Sequence, residues 1–238
     1  MPKPHLATDQ LNLRDHTHSA ASNCDKRYVV LGAVRAWLYD RVLMGLTAGW
    51  YREVLKRLPD GASLLDIGIG TGSAAAHNAK VVRDKRLRIL GLDIDQDYLN
   101  RCRKVLQKAG LSEHITLRLT SVYDHRGGPY DAAYFSASLM LLADPVRAIR
   151  HVAAQLTPTG CIFFTQTFHH GKSPLLEKVK PMLHYFTTIH FGRVTYEEDF
   201  MQVLEQSGLE LVEFVTLGSA RRASYRLAVA RQNAGAVA

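Results

Sequence analysis

Apolar positions along this chain change period several times, and the changes mark out elements. Val30, Leu31, Val34, Trp37, Leu38, Val42 and Leu46 recur at roughly helical spacing, with Gly45 and Gly49 loosening the far end. A second short helix is expected from Trp50 to Leu58, stopped by the turn Pro59-Asp60-Gly61. Strands then alternate with helices. The apolar runs at about 62–67, Leu87–Leu92, Ile115–Leu119, Asp131–Phe135 and Cys161–Thr165 read as strands. Helices are expected at about 72–82, from the cap Asp95 to about Gly110, and at about 144–156, with Thr157-Pro158-Thr159-Gly160 as the next turn.

The rhythm changes near the C-terminus. Thr195-Tyr196-Glu197-Glu198 has the spacing of a capping box, for a helix running to about Ser207. Leu209–Leu217 and Ala223–Ala230 follow with no helix between them, so they should pair antiparallel. The whole predicts an α/β protein: a doubly wound, Rossmann-like sheet of seven strands, mostly parallel with an antiparallel C-terminal hairpin, and helices on both faces.

The candidate chemistry sits in Leu64-Leu65-Asp66-Ile67-Gly68-Ile69-Gly70-Thr71-Gly72. This is a buried strand, a tight loop and a helix start. Glycines there allow sharp turns and let a ligand approach main-chain N–H groups, with the helix N-terminus adding partial positive charge. The glycines follow G-x-G-x-G rather than the G-x-G-x-x-G of dinucleotide sites, and no G-x-x-x-x-G-K-[ST] occurs. A carboxylate two residues before the first glycine suits a cationic ligand with an amino group better than a pyrophosphate. Asp93 ends the second strand about 20 residues beyond the last glycine, where a carboxylate can take both hydroxyls of a ribose.

Asp66 through Gly72 resembles the nucleotide-binding motif of class I S-adenosylmethionine-dependent methyltransferases, and the likeness extends from about residue 50 to 231. The resemblance implies S-adenosyl-L-methionine as cofactor. It places Gly68, Gly70 and Gly72 beneath the methionyl part, Asp66 by its amino group, Asp93 at the ribose and Ile94 against the adenine face. Ser121 and Val122 stand where many members have Asp and a small apolar residue. Ser136 and Ser138 follow the fourth strand, near the emerging methyl, with Ser138 assigned to the acceptor.

The acceptor wall is expected after the fifth strand, in Thr165–His170 and an insertion to about 194 rich in aromatic and His residues. Phe168 and His170 would line it, Tyr39 on the N-terminal helix would close it, and His169 is the candidate base. The resemblance points to a small-molecule or lipid-headgroup acceptor methylated by direct displacement. No Asn/Asp-Pro-Pro-Tyr/Phe follows the fourth strand, which argues against DNA-base or glutamine-amide methylation. Two alternatives remain: an RNA- or ribosome-associated methylase using the basic cluster Lys80, Arg83, Lys85, Arg86 and Arg88, and an inactive partner protein that keeps the fold.

At 238 residues and 47% hydrophobic composition the chain has ample core for one decorated domain. The expected division is an arm over 1–25, capping helices over 26–59, the catalytic domain over 60–231 with its acceptor-side insertion at about 167–194, and a tail over 232–238. A net charge of +8 permits an acidic partner without requiring one. Cys24, Cys102 and Cys161 fit neither a disulfide framework nor a metal site. With no transmembrane run and no secretory h-region, an intracellular, cytoplasmic protein is expected; organelle import stays open, as does the oligomeric state.

Overall fold

The computed structural model describes residues 45–169 and 195–233. The expected arm over 1–25, Tyr39, His170, most of the insertion and the last residues of the tail lie outside these.

The first described helix, α1, covers residues 45–57 and passes through Gly49 without a break, so the second helix expected from Trp50 begins earlier. Its buried face is Ala48, Tyr51, Val54, Leu55 and Leu58, an i, i+3, i+4, i+7 stripe. The chain then runs through β1 (Ser63–Ile67), α2 (Ser73–His77), α3 (Ala79–Asp84), β2 (Arg88–Asp93), α4 (Gln96–Lys108) and β3 (Ile115–Leu119). It continues through β4 (Tyr130–Ser136), a 3₁₀ turn at Leu139–Leu141, α5 (Pro145–Ala153), β5 (Leu156–His169), α6 (Glu197–Gln206), β6 (Leu209–Ala220) and β7 (Ala223–Gln232).

The seven strands form one sheet in the order β3-β2-β1-β4-β5-β7-β6, with β7 antiparallel to both its neighbours and the other pairings parallel. Strand order reverses between β1 and β4, which opens a crevice at their carboxyl ends. Alternate residues feed two cores. Leu64, Tyr134 and Phe163 pack with α1, α3 and α4 on one face. Leu65, Phe135 and Phe164 pack with α5 and α6 on the other. The doubly wound architecture expected from the sequence is the one observed.

Local departures have identifiable causes. The single helix expected over 72–82 is two short ones, broken at buried Asn78. The Asn78 amide donates to the carbonyls of Ala48 and Ala74, both at 2.8 Å, and its oxygen accepts from Arg52 Nε at 3.1 Å. The two bonds to α1, at Ala48 and Arg52, outweigh one continuous helical ladder. Thr157–Gly160 is not a turn before the fifth strand but part of it. Register slips from Tyr130↔Leu156 to Ala132↔Cys161, so the extra residues bulge out of the sheet. The capping box at Thr195 does not form: Tyr196 is the N-cap, and Thr195 makes a β-bridge to Phe168 instead. By contrast, Asp95 Oδ1 accepts from the N–H groups of Asp97 and Tyr98, and Asp144 caps α5 through Arg147 N–H, as their sequence positions suggest.

Part of the basic cluster has structural work. Lys85 Nζ donates to the carbonyls of Leu55, Lys56 and Leu58, capping the end of α1. Arg83 donates to Ala109 O at 2.8 Å, and Lys80 pairs with Asp84. Among the described residues no helix is long and apolar enough to cross a membrane.

Candidate active site

The loop after β1 is bound to the end of β2. The N–H groups of Gly68 and Ile69 both donate to Leu92 O, at 2.9 and 3.1 Å, and Gly70 N–H donates to Asp93 Oδ2 at 2.9 Å. Gly72 N–H donates to Ile69 O. The amides expected to meet a ligand are therefore engaged within the protein. Gly68, Gly70 and Gly72 all have positive φ, the conformation that brings these donors round. Gly72 is also needed for space: a Cβ there would lie 2.5 Å from Cys102 Sγ. Gly91 in β2 was not singled out from the sequence, yet a Cβ there would meet Ile69 Cδ1 at 2.5 Å, so its absence is what seats the loop. The helix beyond the loop, α2, has five residues and no side-chain cap, so its dipole is a small contribution rather than the anion site expected of a long helix.

Asp66 is fully buried at the root of this loop. Its Oδ2 accepts a 2.9 Å hydrogen bond from the Tyr51 hydroxyl of α1, while Oδ1 has no hydrogen-bond partner among the described residues. Burial pushes its carboxyl up to about 7; the Tyr51 hydrogen bond opposes that rise and the charge of Asp93 adds to it. Tyr51 was missed in sequence because nothing in a helical stripe separates a packing tyrosine from one whose hydroxyl reaches a carboxylate.

Asp93, half-buried, uses both oxygens locally: Oδ2 for Gly70 and Oδ1 for Asp95 N–H at 2.9 Å. Ile94 stands 78% exposed beside it, and Leu119, paired in register with Asp93, is 50% exposed. These are two large apolar side chains left in water at neighbouring strand ends. Ser121 closes the turn after β3, its carbonyl accepting from Asp124 and His125 N–H and its hydroxyl from Tyr123 N–H. The Val122 side chain is buried in the core.

At the end of β4, Ser136 pairs in register with Thr165. Ala137 adopts φ +52°, a left-handed conformation that costs about 1 kcal/mol for a residue with a Cβ. It is held by Ala137 N–H donating to Thr165 O and by the Ser138 hydroxyl donating to Ile67 O at 2.6 Å. Ser138 is buried and serves as this brace, in place of the acceptor contact expected of it. Phe168 likewise turns into the core: it is 2% exposed and packs edge-on against Phe200 and Phe214 rather than lining an acceptor wall. His169 ends β5, half-buried, its N–H donating to Thr195 O. It lies four residues past Thr165, about 13 Å along an extended strand, well beyond the end of β4.

Beside the end of β4 lies a cleft of about 260 Å³. Leu139, Met140, Leu142, Phe200 and Val203 form apolar walls, and Gln166 of β5 lines it. Gln166 is 1% exposed, and its Nε2 has no hydrogen-bond partner among the described residues. Its sequence signal was faint: one amide between Thr165 and Thr167, next to the apolar Cys161–Phe164.

The structure thus brings Asp66, Gly68, Gly70, Gly72, Asp93, Ile94, Ser121 and Ser136 to the crevice edge, sends Ser138 and Phe168 inward, and sets His169 apart.

Residues 39–214 match a family model described as a methyltransferase domain. Among curated proteins, the ubiquinone biosynthesis O-methyltransferase of Vibrio campbellii (strain ATCC BAA-1116) is 30% identical over 118 residues, 48% of each chain. The chain therefore spans about half the length of this curated relative. Three solved structures share the fold. The [4+2]-cyclase SpnF aligns with a TM-score of 0.65 at 20% identity, over 79% of this chain and 82% of that one. The mitomycin 7-O-methyltransferase MmcR aligns at 0.63 and 20%, over 79% and 53%. A geranyl diphosphate methyltransferase in complex with SAM aligns at 0.63 and 12%, over 78% and 85%. Identities this low establish architecture only, and the cyclase illustrates that architecture alone does not choose the reaction.

Proposed function

The chain belongs to the class I S-adenosylmethionine-dependent methyltransferases, and on that footing we propose that it binds S-adenosyl-L-methionine and methylates a small-molecule or lipid-headgroup acceptor by direct displacement. The observation that carries the cofactor reading is Asp66 Oδ1, a buried carboxylate oxygen at the root of the glycine loop with no hydrogen-bond partner among the described residues. An orphaned buried acceptor is costly, and a cationic amino group would satisfy it. Asp93, fixed by two backbone donors, keeps further lone pairs for ribose hydroxyls, and exposed Ile94 and Leu119 offer an apolar seat for a base. When bound, the cofactor supplies a methyl already activated on a sulfonium.

The protein's part is then alignment and exclusion of water. Ser136 and the strained Ala137 bring the end of β4 against the loop, and the Ser138 brace holds β4 to β1. The cleft walled by Leu139, Met140 and Phe200 offers an acceptor a largely apolar seat beside that point. No base is assigned: His169 lies too far along β5 to be placed beside Ser136, and a base is needed only where the acceptor must lose a proton. The relative in ubiquinone biosynthesis favours a small molecule over nucleic acid as acceptor.

Calorimetric titration of the full chain with S-adenosylmethionine and S-adenosylhomocysteine tests this reading. Micromolar binding of both is expected. Absence of binding by either would overturn it in favour of a fold retained for another purpose.

A further inference from the structure

We propose that Gln166 is the specificity-determining residue of the acceptor cleft, and that its buried amide takes the oxygen of a neutral hydroxylated ring. The inference rests on the methyltransferase reading for what the cleft is for, but not for what it binds.

An amide has two donors and two acceptors, and in a protein interior they are nearly always partnered. Gln166 shares its face of β5 with Phe164 and Phe168, is 1% exposed and lines the cleft, and its Nε2 has no hydrogen-bond partner among the described residues. A leucine there would pack as well without that cost, so the polar end is matched to something the cleft receives. The occupant's shape follows from the walls. Leu139, Met140, Leu142, Phe200 and Val203 are apolar, and 260 Å³ exceeds the roughly 150 Å³ that accepts benzene. One or two fused rings fit. Its charge follows from Asp199, the charged residue among the lining groups, an exposed carboxylate that repels an anion and accepts from a hydroxyl. A ring hydroxyl both donates and accepts, so it suits either orientation of the amide.

Position makes Gln166 a reader rather than a bystander. It follows Thr165, which pairs with Ser136 at the end of β4, so the amide marks depth in the cleft directly beside the crevice. A site built to hydrogen-bond an oxygen rejects the analogue lacking it, because the protein group is then left buried and unpaired.

The test uses the full chain and two probes of equal shape, 2-naphthol and naphthalene, with binding measured by ligand fluorescence. Wild-type protein should prefer 2-naphthol by roughly tenfold. Gln166→Leu should erase that preference by weakening 2-naphthol and leave naphthalene binding intact. Val203→Phe, which fills the cleft from its wall, should abolish both. A preference that survives in Gln166→Leu, binding unaffected by Val203→Phe, or a wild type that treats the probes alike would each overturn the assignment. S-adenosylhomocysteine is titrated separately. If it fails to bind, the transferase reading falls, while the ring assignment is judged by the naphthol measurements alone.

Discussion

Tyr51 and Asp66, fifteen residues apart in the chain, meet through a 2.9 Å hydrogen bond from the phenol to Oδ2, with both residues buried. The bond ties α1 to the root of the glycine loop. Burial works against the charged form of both partners: it drives the Tyr51 phenol well above its ordinary value and pushes the Asp66 carboxyl up to about 7. The loop is therefore built on a carboxylate whose charge is balanced near neutrality, with one oxygen, Oδ1, unpaired among the described residues.

The sign of the resulting pH dependence can be worked out. The folded carboxyl at about 7 stands above the ordinary 3.8, so the folded state holds the proton more tightly than the unfolded chain. That contribution is complete below about pH 4 and is lost as pH rises through 7. Asp66→Asn removes the titration. Its stability relative to wild type should improve by roughly 2–3 kcal/mol between pH 5 and pH 8. Urea denaturation of both proteins at the two pH values measures this, and a difference that does not change with pH would refute burial as the cause. The same substitution should weaken S-adenosylhomocysteine binding most at pH 8, where wild-type Asp66 is charged.

Tyr51→Phe keeps the ring and deletes the donor. Asp66 then loses the hydrogen bond that holds its pKa down, so its titration moves above 7. We expect a stability loss of about 1–3 kcal/mol at pH 8, the cost of leaving a buried charged acceptor bare, and a smaller loss at pH 5. Cofactor affinity at pH 7 should fall and recover in part by pH 8.5. Titration calorimetry at both values checks it; equal affinities at both would separate Tyr51 from the site.

How far the sequence reaches depends on the range of the interaction. The strand, loop and helix start of the Asp66–Gly72 run, the Asp95 cap and the start of α5 near Asp144 are read correctly because each is settled within a few residues. The break at Asn78 is not, because it depends on the carbonyl of Ala48, thirty residues away. Phe168 and Ser138 look like site residues by proximity to strand ends, yet the pleat of β5 sends Phe168 into the aromatic cluster with Phe200 and Phe214, and the left-handed turn at Ala137 sets Ser138 onto Ile67 O. Gln166 carries its meaning only once α5, α6 and the 3₁₀ turn are placed around it.

Asp93→Asn tests whether the second carboxylate acts on the ligand as well as on the loop. Asn keeps one acceptor oxygen where Asp has two, so one of the bonds to Gly70 N–H and Asp95 N–H is lost. The fold should lose about 1 kcal/mol. S-adenosylhomocysteine affinity should fall more than tenfold, since charge-assisted bonds to a diol are the stronger kind. Hydrogen exchange at the Gly70 amide separates the two effects: if exchange is unchanged and affinity still falls, Asp93 acts on the ligand directly. Unchanged affinity would remove it from the site.

Gly72 carries two separate requirements that can be measured apart. Its φ of +68° costs a residue with a Cβ about 1–2 kcal/mol, and the 2.5 Å approach to Cys102 Sγ adds overpacking of about 1–3 kcal/mol. Gly72→Ala should therefore destabilise by roughly 2–5 kcal/mol. Cys102→Ala alone should also destabilise, because the thiol is buried against the loop. In the double variant the alanine methyl occupies space the sulfur has left, so only the backbone cost should persist. The pair should be less harmful than the sum of the singles by roughly 1–2 kcal/mol. Denaturation of the four proteins in the cycle gives that number. Simple additivity would mean that the loop shifts away from α4 to admit the methyl, and that Gly72 is required for its backbone conformation rather than for the close packing against Cys102.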